Sequence, residues 1–262
     1  MKAGLLITWM LPWIWQQLMR WEVPAVLVRF HPETAYAYVL GPDGYGKVLD
    51  PKGQIIAQNQ WIWQGVIKDI DMLKGGNVLI TFEGYTASIV TGPFLGMLQT
   101  IEWAEMTIWD VQSVCASQYG WLWIYDAVDG RLKRLDEHLQ VEFESAPLTT
   151  YQIDIAPPIF MREHQGRLYT AVPGAGVWVW DIYGNYLYRI AVDVEEEFWV
   201  VDSKLYFLQD GRIYEVNLSG GLPQPVELHG LNTTTWPVRS ITVHDHHIWT
   251  ATDREVVVWE RK

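Results

Sequence analysis

The chain has 262 residues, of which 49% are apolar, so it is long enough to bury a large core in one domain or two small ones. Its formal net charge is −12, from 19 basic and 31 acidic residues. Nucleic-acid binding requires a basic surface that releases counterions from phosphates, so the composition excludes DNA and RNA as expected partners. An anionic lipid surface is disfavoured for the same reason.

An apolar run, Gly4–Trp15, follows Lys2 at the start of the chain. A run of this length after a basic residue resembles a signal peptide, although no small-residue cleavage site follows. It is too short for a transmembrane helix, and we expect no transmembrane span. We therefore expect residues 1–15 to be a signal peptide or an N-terminal apolar segment, and residues 16–262 to form one domain. A signal peptide implies a periplasmic or extracellular protein, whereas a folded N-terminal strand implies a cytoplasmic one.

A strand–turn–strand pattern is clearest between Gly166 and Ile190. It predicts strands over Leu168–Ala171, Val177–Asp181 and Tyr186–Ile190, because Gly and Pro stand where hairpins need them. The same pattern recurs through the chain at intervals of 37 to 46 residues, and a propeller blade of four strands repeats about every 40–50 residues. The equivalent apolar positions are Ala37, Leu79, Leu122, Leu168, Leu205 and Ile248.

A short apolar strand precedes most of these units and would be the innermost strand of each blade. In the fourth unit we expect it somewhere within Ile153–Met161, with Pro157-Pro158 as an interruption. In the other units the predicted inner strands are Ala25–Phe30, Val66–Ile70, Ile108–Val114, Phe198–Val201 and Ile241–Val243.

The two ends of the chain predict how the ring closes. The sixth unit stops at Lys262 after three strands, and Gln16–Val23 resembles the outer strands of the other units. Pairing Gln16–Val23 with Glu255–Trp259 would complete the last blade and cover an exposed sheet edge. We therefore predict an all-β fold, a single six-bladed β-propeller of four-stranded blades, with an irregular β-sandwich as the alternative.

The repeating unit, the strand end at Trp180-Asp181 and turns such as Asp50–Gly53 resemble the superfamily of six-bladed and quinoprotein-like β-propellers. The resemblance covers nearly the whole chain after residue 16. The chain lacks the Gly-His…Trp-Asp repeat of WD40 propellers and the Ser-x-Asp boxes of sialidases. The resemblance implies a rigid disc with a central channel, and a fold of this kind does not by itself choose between binding and catalysis.

Two groups of side chains suggest metal chemistry. His244 and His246 would point the same way on an extended chain and could bind Zn²⁺, but the segment also has the composition of a solvated turn. Acidic residues near the predicted inner strands could surround a channel Ca²⁺ or act on a carbohydrate or lactone. These acids are Asp69, Asp71, Asp110 and Asp154.

Other signals are weak. Glu195–Glu197 is a run of charges that we expect in a solvated loop. Cys115 is the only cysteine, which rules out an intrachain disulfide, and we expect a buried thiol. The sequence has no nucleophile elbow, phosphate-binding loop or dinucleotide motif, so it predicts no cofactor beyond the weak Ca²⁺ and Zn²⁺ candidates.

Tryptophans in the longer connections between blades are the best functional lead. They would gather on one face, either as anchors for a partner or as caps over the core. They are Trp61, Trp63, Trp103 and Trp236. We predict a non-catalytic scaffold that binds a protein partner, in a bacterial envelope assembly or secretion complex if the chain is exported. The alternatives are the carbohydrate- or lactone-active enzyme and a glycan-binding propeller.

Overall fold

The structure, a computed structural model, describes residues 15–60, 67–82, 87–152, 154–229 and 237–261. Within these residues the strands form six four-stranded sheets, arranged in a ring as the blades of a propeller. The prediction of a six-bladed all-β propeller is confirmed.

Each blade takes its strands from one stretch of chain, except the last. Blade I contains β2 (Leu27–His31), β3 (Tyr36–Leu40), β4 (Tyr45–Leu49) and β5 (Ile55–Gln60). Blade II contains β6 (Ile67–Met72), β7 (Val78–Phe82), β8 (Ala87–Thr91) and β9 (Met97–Glu102). Blade III contains β10 (Val111–Ala116), β11 (Leu122–Asp126), β12 (Arg131–Leu135) and β13 (Val141–Glu144).

The second half of the ring follows the same plan. Blade IV contains β14 (Phe160–His164), β15 (Arg167–Val172), β16 (Gly176–Asp181) and β17 (Tyr186–Ile190). Blade V contains β18 (Phe198–Val201), β19 (Lys204–Gln209), β20 (Arg212–Asn217) and β21 (Gln224–Pro225). Blade VI contains β22 (Ser240–His244), β23 (His247–Ala251), β24 (Val256–Arg261) and β1 (Trp15–Trp21).

The antiparallel order gives the disc two different faces. In every blade the first strand is innermost, and each strand pairs antiparallel with the next. The turns after the first and third strands therefore lie on one face, which we call the hairpin face. The turns after the second strands and the connections between blades lie on the other, which we call the connection face.

The ring closes as the sequence predicts. β1 pairs antiparallel with β24, from Trp15 opposite Arg261 to Trp21 opposite Val256. Trp15 lies one residue before the predicted domain boundary and is only 3% exposed. Its ring centre is 6.4 Å from that of Tyr206 in blade V, so β1 also contacts the preceding blade.

Both faces of each blade are buried, as blade IV shows. Along β16, Val177 and Val179 pack with residues of blade V such as Phe198. The alternate residues Trp178 and Trp180 pack with blade III. A strand buried on both sides is apolar at every position, which is why these strands read as continuous apolar runs.

One inner strand begins later than most of its predicted range. β14 spans Phe160–His164 and overlaps the predicted range Ile153–Met161 only at its last two residues, because Pro157-Pro158 precede it and proline has no N–H to donate to a β-ladder. In blade V the outermost strand, β21, is short and covers only Gln224–Pro225.

The closure makes a prediction about stability. Replacing Trp15 with alanine removes a buried aromatic side chain, and such changes cost about 3–5 kcal/mol of unfolding free energy. Leu18 lies on the same strand but is 48% exposed, so Leu18→Ala should change stability by no more than about 0.5 kcal/mol. Urea denaturation of both variants measures the difference. Equal stabilities would show that β1 does not hold the last blade in place.

Candidate functional site

Two arginines reach into the centre of the ring from opposite blades. Arg29 is the third residue of β2, and Arg162 is the third residue of β14. Each donates from Nη1 to the carbonyl of the residue before it, at 2.8 Å to Val28 and 2.9 Å to Met161. Blades I and IV are three positions apart in a ring of six, so these equivalent side chains face each other across the channel.

Asp69 accepts hydrogen bonds from both arginines. Arg29 donates to Oδ1 from Nε at 3.0 Å and from Nη2 at 2.6 Å, and Arg162 donates to Oδ2 from Nη2 at 2.9 Å. Burial alone would raise the pKa of Asp69. The positive charges of Arg162 and Arg29 and their hydrogen bonds outweigh the burial, so this pKa lies below its usual value.

Glu197 adds a second carboxylate from blade V, opposite blade II. Its Oε2 lies 2.7 Å from Nη2 of Arg29, and its Oε1 accepts a hydrogen bond from the Ile241 amide. Glu197 is 5% exposed, so the prediction that it lies in a solvated loop is wrong. A charge that leaves water needs a partner, and Arg29 is that partner here.

Blade VI joins this arrangement through hydroxyl groups. Ser240 Oγ accepts from the Val28 amide at 3.1 Å and from Arg29 Nη1 at 3.0 Å. Thr242 Oγ1 donates to the Val28 carbonyl at 2.7 Å. We call Arg29, Asp69, Arg162 and Glu197 the channel network, which contacts blades I, II, IV, V and VI.

The sequence contained one signal for this network that we missed. Arginine followed two residues later by histidine occurs at the same place in two inner strands, as Arg29 with His31 and Arg162 with His164. A charged residue repeated at one position of an apolar strand indicates a buried partner.

A cavity of about 240 Å³ opens on the hairpin face and shares Arg162 with the channel network. We call it the mouth cavity. It is lined by the ends of the inner strands and by the turns that follow them. Its lining includes the side chains of His31, Glu33, Asp71, Lys74, Cys115, Arg162, Glu163, Trp199 and His244.

Two carboxyl groups in the mouth cavity have raised pKa values. Burial is the main cause for both, and for Asp71 the nearby charge of Asp69 adds to it while Arg162 opposes it. Asp71 Oδ2 accepts from the Ala116 amide at 2.9 Å, and Glu163 Oε2 accepts from Trp123 Nε1 at 3.0 Å.

Cys115 lines the same cavity as a buried thiol, as expected. It is 1% exposed. Burial, with a contribution from the charge of Asp71, raises its pKa well above the usual value. The side chain therefore stays a neutral thiol near pH 7 rather than a reactive thiolate.

The other acids proposed for a channel site do not lie on inner strands. Asp110 precedes β10 and accepts from Gln112 Nε2 at 2.5 Å. Asp154 is exposed in the connection between blades III and IV, with a φ of 57°. Of the four predicted acids, only Asp69 and Asp71 share the channel.

The geometry assumed for the histidine pair is wrong. β22 ends at His244, and Asp245 and His246 form a tight turn to β23, so the chain is not extended between the two histidines. His244 Nε2 lies 3.3 Å from Oδ2 of Asp245, and His246 is exposed. In the described ranges no group of three or more His, Cys, Asp or Glu residues could hold a metal ion.

Of the four predicted tryptophan anchors, Trp61, Trp63 and Trp236 lie outside the described residues. Trp103 begins a short 3-10 turn after β9 and is 1% exposed, packed with Leu79 and Ile108 between blades II and III. Its assignment as a binding anchor is therefore wrong, because a partner cannot reach a side chain that is covered by the core.

Among the described residues, three apolar side chains are exposed on the connection face, on adjacent segments. They are Trp109, Val128 and Tyr151, with exposures of 64%, 66% and 41%. The Ala127 amide donates to the Asp110 carbonyl at 2.7 Å, and the Leu148 amide donates to the Gly130 carbonyl at 2.8 Å. These bonds fix the three segments to one another. We call Trp109, Val128 and Tyr151 the connection patch.

No family model matches the chain, and no curated protein matches it. Solved structures share its fold. Virginiamycin B lyase from Staphylococcus aureus is 10% identical with a TM-score of 0.59, over 89% of this chain and 79% of that chain. A streptogramin B lyase is 13% identical with a TM-score of 0.57, over 90% of this chain and 78% of that one. BamB from Moraxella catarrhalis is 12% identical with a TM-score of 0.58, over 94% of this chain and 100% of that one.

At such low identity the comparisons show the propeller fold alone. The neighbours include lyases and BamB, whose name states no reaction, so the fold does not select a function. None of the helices in the described part of the chain has the length and hydrophobicity to cross a lipid bilayer.

The channel network makes a prediction about stability. Asp69→Asn removes the buried negative charge that pairs with both Arg29 and Arg162. Its loss should lower the unfolding free energy by about 3–5 kcal/mol at pH 7. Asp253→Asn is the matched control, because the Arg239–Asp253 pair has side chains 49% and 44% exposed. Exposed pairs contribute only about 0–1 kcal/mol. Denaturant unfolding of both variants gives the comparison.

The pH dependence of the unfolding free energy of Asp69→Asn tests whether the loss of stability is electrostatic. The folded-state pKa of Asp69 is lowered, so its contribution to stability is complete above the unfolded-state pKa and is lost as pH falls through the folded-state value. The stability difference between wild type and Asp69→Asn should therefore shrink on acidification. A difference that stays constant from neutral pH to about pH 3 would contradict an ionic role for Asp69.

Proposed function

We propose that this propeller is a non-catalytic binding module and that its connection patch binds a protein partner. The observation that carries the proposal is the exposure of Trp109, Val128 and Tyr151 on three segments that are joined by backbone hydrogen bonds. Tryptophan and tyrosine are enriched among the residues that dominate binding energy at interfaces. Because the patch is held by backbone hydrogen bonds, little ordering entropy is lost on binding.

The charge of the chain adds a property of the partner. With a formal net charge of −12, the module would associate fastest with a protein whose contact surface is basic around an apolar centre. Salt should slow this association more than it speeds dissociation.

The channel supports a non-catalytic function. A glycosidase-type mechanism needs two carboxyl groups free to exchange protons or attack a substrate. Asp69 is instead hydrogen-bonded to Arg29 and Arg162, and Glu197 is ion-paired with Arg29. The carbohydrate- or lactone-active alternative would have to rely on Asp71 and Glu163, whose raised pKa values and position at the mouth cavity are the observations in its favour.

Site-specific crosslinking tests the patch. A photoreactive phenylalanine at position 109 should crosslink the partner in the native cell, whereas the same residue at Tyr183, 64% exposed on the hairpin face, should not. With the identified partner purified, Trp109→Ala should weaken binding by at least about tenfold, as expected for an interface hot spot. Tyr183→Ala is the matched control. Equal affinities for both variants would remove the connection patch from the interface.

The proposal includes a location outside the cytoplasm, within a bacterial envelope assembly or secretion complex. Its support is the apolar run Gly4–Trp15, most of which lies outside the described residues. We expect the protein in the periplasmic or extracellular fraction. Intact-mass measurement should show an N-terminus processed before Trp15, because Trp15 is a buried residue of β1. A cytoplasmic protein that keeps Met1 would refute the proposed location. The proposal that the connection patch binds a partner would not be affected, because the crosslinking experiment tests it separately.

A further inference from the structure

Three buried polar atoms on residues that line the mouth cavity have no hydrogen-bond partner. They are Nε of Arg162, Nε1 of Trp199 and Oε1 of Glu163. The first two are donors and the third is an acceptor. Leaving buried polar atoms unpaired is costly, so a guest that both accepts and donates hydrogen bonds would be favoured in this cavity.

The two hydrogen-bond donors of the cavity are held in place without a ligand. Arg162 is 4% exposed and is fixed by its bonds to Met161 and Asp69. Its guanidinium carbon lies 4.8 Å from the centre of the Trp199 ring, so the two donors belong to adjacent groups on β14 and β18. Two neighbouring N–H donors, one of them on a cation, suit a carboxylate.

The rest of the cavity carries an excess of carboxyl groups. Glu33, Asp71 and Glu163 line it, and Lys74 is the only lining cation besides Arg162, which is already paired with Asp69. Of the two lining histidines, His31 has a pKa lowered by burial and is neutral at pH 7; the other is His244.

Burial removes part of the hydration of two of these carboxyl groups, and the nearby positive charge does not compensate for it. The pKa values of Asp71 and Glu163 are both raised, with burial as the main cause. An ammonium group would supply the missing charge, so the donor on the guest is expected to be positively charged.

An apolar groove of about 370 Å³ adjoins the mouth cavity between blades VI and I. The two share Phe30, Pro32 and His244. Phe30 stacks on Trp249, with ring centres 4.2 Å apart and planes 13° apart. A guest with an apolar substituent could therefore extend from the polar mouth over an aromatic surface.

We propose that the mouth cavity binds a free α-amino acid with an apolar side chain. Its carboxylate accepts from Arg162 and Trp199, its ammonium group donates to Glu163, and its side chain extends past Phe30 into the groove. Binding is reversible and no bond is made or broken. The site lies on the hairpin face, so it is independent of the connection patch.

The first experiment measures how much the carboxylate and the ammonium group of the ligand each contribute to binding. Calorimetric titration at pH 7 would compare L-phenylalanine and L-leucine with 2-phenylethylamine, which lacks the carboxylate, and 3-phenylpropionate, which lacks the ammonium group. We expect the amino acids to bind at least about tenfold more tightly than either analogue, since each analogue leaves a charged group of the protein unpaired. No binding of either amino acid at millimolar concentration, or equal binding of an analogue, would overturn the proposal.

Two conservative substitutions test which residues bind the carboxylate and the ammonium group of the ligand. Trp199→Phe keeps an aromatic ring beside Arg162 and removes the N–H donor together with part of the indole ring. It should weaken phenylalanine about fivefold or more and leave 2-phenylethylamine unchanged. Glu163→Gln keeps an acceptor for Trp123 but removes the charge, so it should weaken phenylalanine while leaving 3-phenylpropionate unchanged.

Asp253→Asn is the matched control, because Asp253 forms an exposed pair with Arg239 on the connection face, away from the cavity. It should leave every affinity as in the wild type. If Trp199→Phe or Glu163→Gln weakened all ligands equally, or none, the assignment of ligand ends would be wrong. Trp109→Ala should retain amino-acid binding, so failure of this proposal and failure of the protein-binding proposal give different results.

Discussion

Asp69 accepts hydrogen bonds from two arginines that reach it from opposite sides of a ring. A propeller has no strand that crosses its centre, so its blades are held by contacts with their neighbours and by whatever fills the channel. Here Arg29 and Arg162 cross that space and meet on one carboxylate. Charges this deeply buried are tolerated only when they are paired and hydrogen-bonded, so a blade that moved outward would leave a charge without its partner. The pairing therefore favours one arrangement of the blades.

The repeat could be predicted from sequence because its signals are local. Glycine and proline mark the hairpins, and β3, β7 and β23 contain the predicted equivalent positions Ala37, Leu79 and Ile248. The channel network could not be predicted in the same way. Arg29 and Asp69 are 40 residues apart, and Asp69 and Arg162 are 93 residues apart, so only closure of the ring brings them together. Glu197 shows the limit most directly, because its two acidic neighbours are exposed and it alone turns inward.

The tryptophans show a different limit. A connection between blades can cover the core or face solvent, and its composition is the same in both cases. Trp103 and Trp109 lie in one connection, yet the first is buried and the second is exposed. The difference depends on the 3-10 turn that starts at Trp103 and on the bond that ties Asp110 to the following hairpin. Neither has a sequence signal strong enough to distinguish the two residues in advance.

Arg162 belongs to both the channel network and the mouth cavity, and this links stability to binding. Its Nη2 donates to Asp69, while its Nε is buried and has no hydrogen-bond partner among the described residues. A group that is fixed by the fold and still has one free donor is pre-organised, so binding there does not require the side chain to be ordered first. The same bonds limit what the site can do, because an arginine committed to a carboxylate cannot exchange protons near neutral pH. The fixed position of Arg162 is therefore consistent with the proposed binding of a ligand at the mouth cavity.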